Sequence, residues 1–155
     1  MANTNRNLNA AIACVVERYQ DRLTLKDLAA SADLPTNTLT RMFNRRYGMS
    51  PMRWVWRFRT ILAAECIARA PEWSLLDVAT HCGFTSAAHF SRRFRELFQE
   101  SPSKFRANYH ERPDVALASE LGELLRGARA AATERATRRP TRAPGSRVQS
   151  TAGGN

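Results

Sequence analysis

The chain has 155 residues, about one ordinary domain's worth and enough to bury a core without disulfide or metal staples. It carries 24 Lys+Arg against 14 Asp+Glu, a net charge of +10, and all its cations except Lys26 and Lys104 are arginines, which points to an anionic partner with nucleic acid first. A hydrophobic content of 43% argues against wholesale disorder, no apolar run reaches the ~18 residues of a spanning helix, and the polar stretch Met1 to Asn7 lacks the apolar core of an export signal, so a soluble, cytoplasmic chain with no membrane partner is expected.

Glycine and proline divide the chain. Residues 1–110 hold two of the seven glycines, whereas 111–155 hold the other five and three of the seven prolines, so the compact part is the first two-thirds. Within it, apolar residues recur at helical spacing without sustained alternation of period two, which predicts an all-α fold. Leu8, Ile12, Val15, Val16 and Tyr19 form the stripe of a first helix.

Thr24, with Asp27 three residues on, is a variant capping box opening a short second helix. Ala29 and Ala30 are small enough for another helix to cross closely. The turn Ala32-Asp33-Leu34 follows, where aspartate tolerates a positive φ and leucine plugs the junction. A third helix starts near Thr36, with Leu39, Met42, Phe43 and Tyr47 inward and Asn37, Thr40, Arg41, Asn44 and Arg45 on the opposite face.

Ser50-Pro51 places a capping hydroxyl before a first-turn proline and opens a long helix over about 51–69, with Trp54, Val55, Phe58, Ile61, Leu62 and Cys66 on its buried side. The plan of residues 24–54 then repeats. Thr24 to Ala29 recurs fifty residues later as Ser74 to Ala79, Leu39 to Phe43 recurs fifty-one later as Phe90 to Phe94, and Ser50-Pro51 as Ser101-Pro102. Cys82-Gly83-Phe84 replaces the first turn, with glycine free to take positive φ. On the second unit's second helix, Phe90, Phe94, Leu97 and Phe98 turn inward and Ala88, His89, Arg92 and Arg93 outward.

Each unit is therefore a short helix, a tight turn and a second helix with a basic outer face: a helix-turn-helix whose second helix can enter a major groove. Arg41 and Arg92 occupy matching positions, from which arginine can give bidentate bonds to guanine; Asn37 could pair with adenine. Each such contact is worth about 1–3 kcal/mol of discrimination. The alternative for either arginine is a solvated or phosphate-contacting surface group. Thr36, Arg45, Arg46, Ser86, Arg93, Lys104 and Arg106 are candidates for phosphate contacts.

Beyond residue 112, Leu117, Leu121, Leu124, Leu125 and Ala128 predict an accessory helix over 111–135. Residues 136–155 carry four arginines, no acid and no aromatic residue, and read as a disordered basic tail. Cys14, Cys66 and Cys82 are an odd number without CxxC spacing and fit a reducing compartment. His81, Cys82 and His89 fall short of the four ligands of a structural zinc site, and His110 is distant, so neither metal nor cofactor is expected.

At Leu25 through Phe84, and most densely at Ala79, Cys82-Gly83-Phe84, Phe90, Arg92, Phe94, Ser101-Pro102 and Phe105-Arg106, the sequence resembles the AraC/XylS family of bacterial transcription regulators, and in particular its stand-alone members. The resemblance covers about residues 5–108. It implies about seven helices in two homeodomain-like helix-turn-helix subdomains, 1–49 and 71–110, joined by a linker helix at 50–70, with one chain binding an asymmetric DNA site as a monomer at the nucleoid. It also implies base-reading positions at Asn37, Thr40 and Arg41 and at Ala87, Ala88, His89 and Arg92, and RNA polymerase as a partner of an activator. Asp33 and Gln99 stand where the family often has glycine. Met52 to Trp56 resembles the linker of longer, effector-sensing members, so the chain reads either as a stand-alone regulator or as the DNA-binding portion of a longer one. A protein-interaction module acting on polymerase is the rival class. An enzyme is not expected, since no catalytic constellation is visible.

Overall fold

A computed structural model describes residues 2–109 together with 122 and 123, with side chains from Asn5 onward. Apart from those two positions, the expected accessory helix over 111–135 lies outside the described residues, as does the tail over 136–155. Seven helices make up residues 2–109: α1 (Ala2–Arg18), α2 (Leu25–Ser31), α3 (Thr36–Tyr47), α4 (Pro51–Arg69), α5 (Leu75–His81), α6 (Ala87–Phe98) and α7 (Pro102–Asn108).

Local chemistry fixes the helix ends. At the start of α2, Thr24 Oγ1 accepts the Asp27 amide while the Asp27 carboxylate accepts the Thr24 amide at 2.7 Å; Ser74 and Asp77 do the same for α5. Both boxes satisfy two amides that the first turn would leave unpaired. Ser50, Ser86 and Ser101 cap α4, α6 and α7 through their hydroxyls. Both helix-turn-helix turns reach the left-handed region, at Asp33 (φ 52°) and Gly83 (φ 83°), and α3 and α6 end the same way at Gly48 (φ 66°) and Gln99 (φ 59°). Sequence reading foresaw the first pair; the strain at Gln99 is carried by a residue with no intrinsic liking for it.

Packing divides at the middle of α4. Trp54, Val55 and Phe58 join Ile12, Leu28, Leu39 and Phe43 in one core, whereas Ala63, Ala64 and Ile67 join Val78, Phe90, Phe94 and Phe105 in another. The first is keyed by the Trp54–Phe58 stack, rings 5.7 Å apart, with Phe43 edge-on to Trp54. The second is an aromatic chain from Phe84 through Phe90 and Phe94 to Phe105. Truncating one of these rings costs about 3–5 kcal/mol.

Because both units press on it, α4 is buried on more faces than the single stripe expected: Arg59, Thr60, Ala63, Ala64 and Ile67 are buried, while Leu62 and Cys66 are only partly covered. A helix covered from two sides is stabilised by its surroundings and need not carry a single apolar stripe.

Arg59 is the junction. Only 3% exposed, it donates from Nη2 to the Asp21 carbonyl at 2.7 Å and lies over the Trp56 ring at 4.7 Å. Around it the α1–α2 loop reaches the second unit: Gln20 Nε2 donates to the His81 carbonyl at 3.1 Å, and Tyr19 Oη lies 3.5 Å from His81 Nε2. Gly83 completes the contact, since a Cβ there would overlap the Tyr19 carbonyl oxygen and come within 3.0 Å of Arg59 Nε. The two units therefore touch through α4 and also directly, loop against turn.

Candidate nucleic-acid interface

The second helix of each unit, α3 and α6, has twelve residues, and Arg41 and Arg92 are each the sixth. Burial of Leu39 and Phe43 on one helix, and of Phe90 and Phe94 on the other, turns both guanidinium groups outward. Both are exposed, and neither forms an ion pair among the described residues. Asn37 is also exposed, one turn nearer the start of α3. Thr40 is half-buried, and its hydroxyl donates back to the Thr36 carbonyl at 2.8 Å, leaving that oxygen able only to accept. Arg45 and Arg46 are exposed at the end of α3, Arg46 leaning over Tyr47 at 5.7 Å.

On α6 the arrangement is less symmetric. Ser86 accepts the His89 amide at 3.2 Å, and Ala87 and Ala88 are exposed, offering methyl groups only. His89, expected on the outward face, packs partly inward with its ring edge-on to Trp56 at 4.4 Å and beside Phe84 at 5.8 Å. Arg93 donates from Nε to His89 Nε2 at 3.3 Å and pairs with Glu96 at 2.9 Å. Burial, then the cations Arg93 and Arg92, holds the His89 imidazole below its ordinary pKa, so it is neutral at pH 7.

Arg106 departs from the expected phosphate contact. It is half-buried and donates from Nη2 to the Trp73 carbonyl at 2.8 Å, which ties α7 to the loop before α5. Lys104 is exposed in the first turn of α7.

Sequence reading missed a cleft of about 230 Å³ between the end of α3 and the side of α6, floored by α4. Arg53, Arg57 and Arg93 line it with Trp56, Thr60 and Glu96. Its cations come from two helices about forty residues apart in sequence, so no local motif announces it. Helical spacing gave one hint, because Arg53 and Arg57 are four apart on α4 and must share a face.

Residues 28–108 match the family described as "Helix-turn-helix domain". The HTH-type transcriptional activator RhaS of Escherichia coli O157:H7 (strain EC4115 / EHEC) is 32% identical over 106 residues, which are 68% of this chain and 38% of that protein. The chain belongs to the AraC/XylS family. Two solved structures superpose on it. The DNA-binding domain of AdpA, crystallised with a target DNA, is 29% identical with a TM-score of 0.63, over 69% of this chain and 96% of that one. An AraC-type regulator from Chromobacterium violaceum has the same TM-score at 24% identity, over 70% and 96%, and shows the fold alone. The chain thus spans well under half the length of the AraC/XylS relative RhaS. Among the described residues no helix is long and apolar enough to cross a membrane, and no group of three or more His, Cys, Asp or Glu could hold a metal ion.

Proposed function

We propose that the chain is a sequence-specific DNA-binding transcription regulator that sets α3 and α6 into successive major grooves, about 34 Å apart on the duplex. The carrying observation is that one polypeptide presents two matching helices, each with an exposed arginine as its sixth residue that forms no ion pair among the described residues, on a shared linker whose middle is buried by both units. A tandem pair supplies in one chain what a dimer of single helix-turn-helix units otherwise supplies, so monomeric binding to an asymmetric site follows. Arg41 and Arg92 read guanine, Asn37 and Thr40 assist on α3, and Ala87 and Ala88 meet thymine methyl groups. His89, neutral and braced on Trp56, holds the start of α6 and presents one ring edge. Thr36, Arg45, Arg46, Ser86, Arg93 and Lys104 contact phosphates; Arg106 is left out because it is spent on Trp73.

Activation of transcription is the reading favoured by RhaS, whose name describes an activator; RNA polymerase as its partner and a place at the nucleoid extend that reading. A second reading is that the chain is the DNA-binding portion of an effector-sensing regulator. It is favoured by the 38% share of RhaS that the chain spans.

Selection of bound sites from random duplexes tests the function. Two short motifs about one helical turn apart are expected. Arg41→Ala should lose sequence preference at one position and about 1–3 kcal/mol of affinity, whereas Lys104→Ala should weaken all duplexes alike and lower the salt slope by about one. An Arg41→Ala protein with unchanged preference and affinity would remove the base-reading assignment.

A further inference from the structure

The cleft between the end of α3 and the side of α6 holds more positive charge than its own acid can neutralise. Arg53 and Arg57 from α4 and Arg93 from α6 line it, against one carboxylate, Glu96. Cations gathered in one recess raise the local potential together, which draws an anion in.

Two of these arginines are placed for a ligand. Arg53 is the third residue of α4 and exposed, and its guanidinium forms no ion pair and no hydrogen bond among the described residues. It stands in the first turn, at the positive end of the helix dipole, where a cation is unfavourable. Helix formation therefore gives no reason for an arginine there. Arg93 is oriented by its own helix. Its Nε donates to His89 Nε2 at 3.3 Å and its Nη1 to Glu96 at 2.9 Å, which leaves Nη2 as the nitrogen with no partner among the described residues.

We propose that Arg53 and Arg93 clamp a phosphate of the duplex backbone between the two major grooves entered by α3 and α6, so that the linker helix is itself a DNA-contacting element. The proposal rests on the reading of α3 and α6 as DNA-binding helices, and it adds a contact which that reading does not assign.

Place, size and donor chemistry each favour a backbone phosphate. The cleft lies between α3 and α6 with α4 as its floor. On one face of a duplex, successive major grooves are separated by the minor groove, and its bordering phosphates are what a surface between two reading helices meets. At about 230 Å³ the cleft is smaller than the ~300–1,000 Å³ of sites that enclose a drug-sized ligand, and it suits a phosphate group. Arginine's planar fork matches two phosphate oxygens at once. A soluble phosphate has the same chemistry and must be separated by experiment.

Such a contact carries no base preference. It depends instead on where the backbone runs between the two motifs, so affinity becomes sensitive to the length and shape of DNA that neither recognition helix touches.

The test uses the full chain and a duplex selected from random DNA. Phosphates between the two motifs are replaced one at a time, on each strand, by uncharged methylphosphonate, and anisotropy titrations compare wild type with Arg53→Gln. Expected is a position, or two neighbouring ones, where the replacement weakens wild-type binding about tenfold yet leaves Arg53→Gln, already about tenfold weaker, unaffected. Arg93→Gln should be insensitive at the same phosphate. Arg53→Gln should select the same two motifs and lower the salt slope by about one. Its Tm should be unchanged or slightly raised, because a cation leaves the first turn of α4, and this separates a lost contact from a damaged fold. Methylphosphonates that cost nothing anywhere between the motifs, or that weaken wild type and Arg53→Gln alike, would overturn the clamp and leave the functional reading intact. Saturable binding of inorganic phosphate to the DNA-free protein, abolished in Arg53→Gln, together with undiminished affinity for every methylphosphonate duplex, would assign the cleft to a soluble anion and overturn the clamp as well. Failure to bind any duplex would overturn the functional reading and the clamp together.

Discussion

The carbonyl oxygen of Tyr19 occupies the space that a Cβ atom would need at Gly83. Gly83 is thus constrained twice, by its φ of 83° and by the loop of the other unit. Gly48 has a similar φ, 66°, but nothing within 4 Å of a would-be Cβ. Gly48→Ala should therefore cost only the backbone strain, about 1–2 kcal/mol. Gly83→Ala should cost about 3 kcal/mol or more, because the loop or the turn must also move. Urea unfolding of the two variants gives the comparison, and equal losses would show that the loop yields freely.

Arg59 holds the same junction from the α4 side. Burial lowers its pKa from the ordinary arginine value, yet a guanidinium stays charged, and its bond to the Asp21 carbonyl is charge-assisted. Arg59→Met keeps much of the volume and removes that bond. About 1–3 kcal/mol of stability should be lost. If the junction fixes the spacing of α3 and α6, affinity for a two-motif duplex should also fall more than affinity for either half alone, as filter-binding or anisotropy titrations can read.

Asp33 takes a φ of 52° one residue past the C-cap of α2, which also sets a negative charge near the negative end of that helix. Asp33→Gly relieves both. Stabilisation by about 1 kcal/mol is expected, which for a domain of this size raises Tm by several degrees in a calorimetric scan.

The two capping boxes predict an acid-sensitive component of stability. Hydrogen bonds from the side chain and backbone of Thr24 hold the Asp27 carboxyl below its ordinary pKa, and Ser74 does the same for Asp77. A carboxyl whose pKa is depressed by folding stabilises the protein fully above its unfolded value, near 3.8, and that contribution disappears as pH falls through the lower folded value. Unfolding free energy should therefore drop below about pH 4, and the drop should be shallower in a double Asp27→Asn, Asp77→Asn variant.

Much of this fold is legible in the sequence because its signals are local. Capping residues, the Ser-Pro pairs, the 3.6-residue stripe and the fifty-residue repeat place most helix starts, and the buried faces of α1, α3 and α6, without reference to anything distant. Arg41 and Arg92 were found the same way, since burial of Leu39 and Phe43, or Phe90 and Phe94, leaves an arginine two positions away no choice but to face out. His89, expected to face outward, turns partly inward, and Arg106, expected at a phosphate, donates to a backbone carbonyl instead. Local spacing leaves either direction open to such residues and the decision falls to a partner: Trp56 for one, the Trp73 carbonyl for the other.

The basic excess of the chain, and the two helices that display it, are properties of the sequence taken piece by piece. What holds those helices in a fixed relation is not. The Arg59 bond to the Asp21 carbonyl, the Tyr19–Gly83 contact and the arginine-lined cleft each join residues from separate elements, and no periodicity or motif records such pairings. They exist because two compact units share one helix, so that side chains which either unit alone would leave in water are enclosed between them.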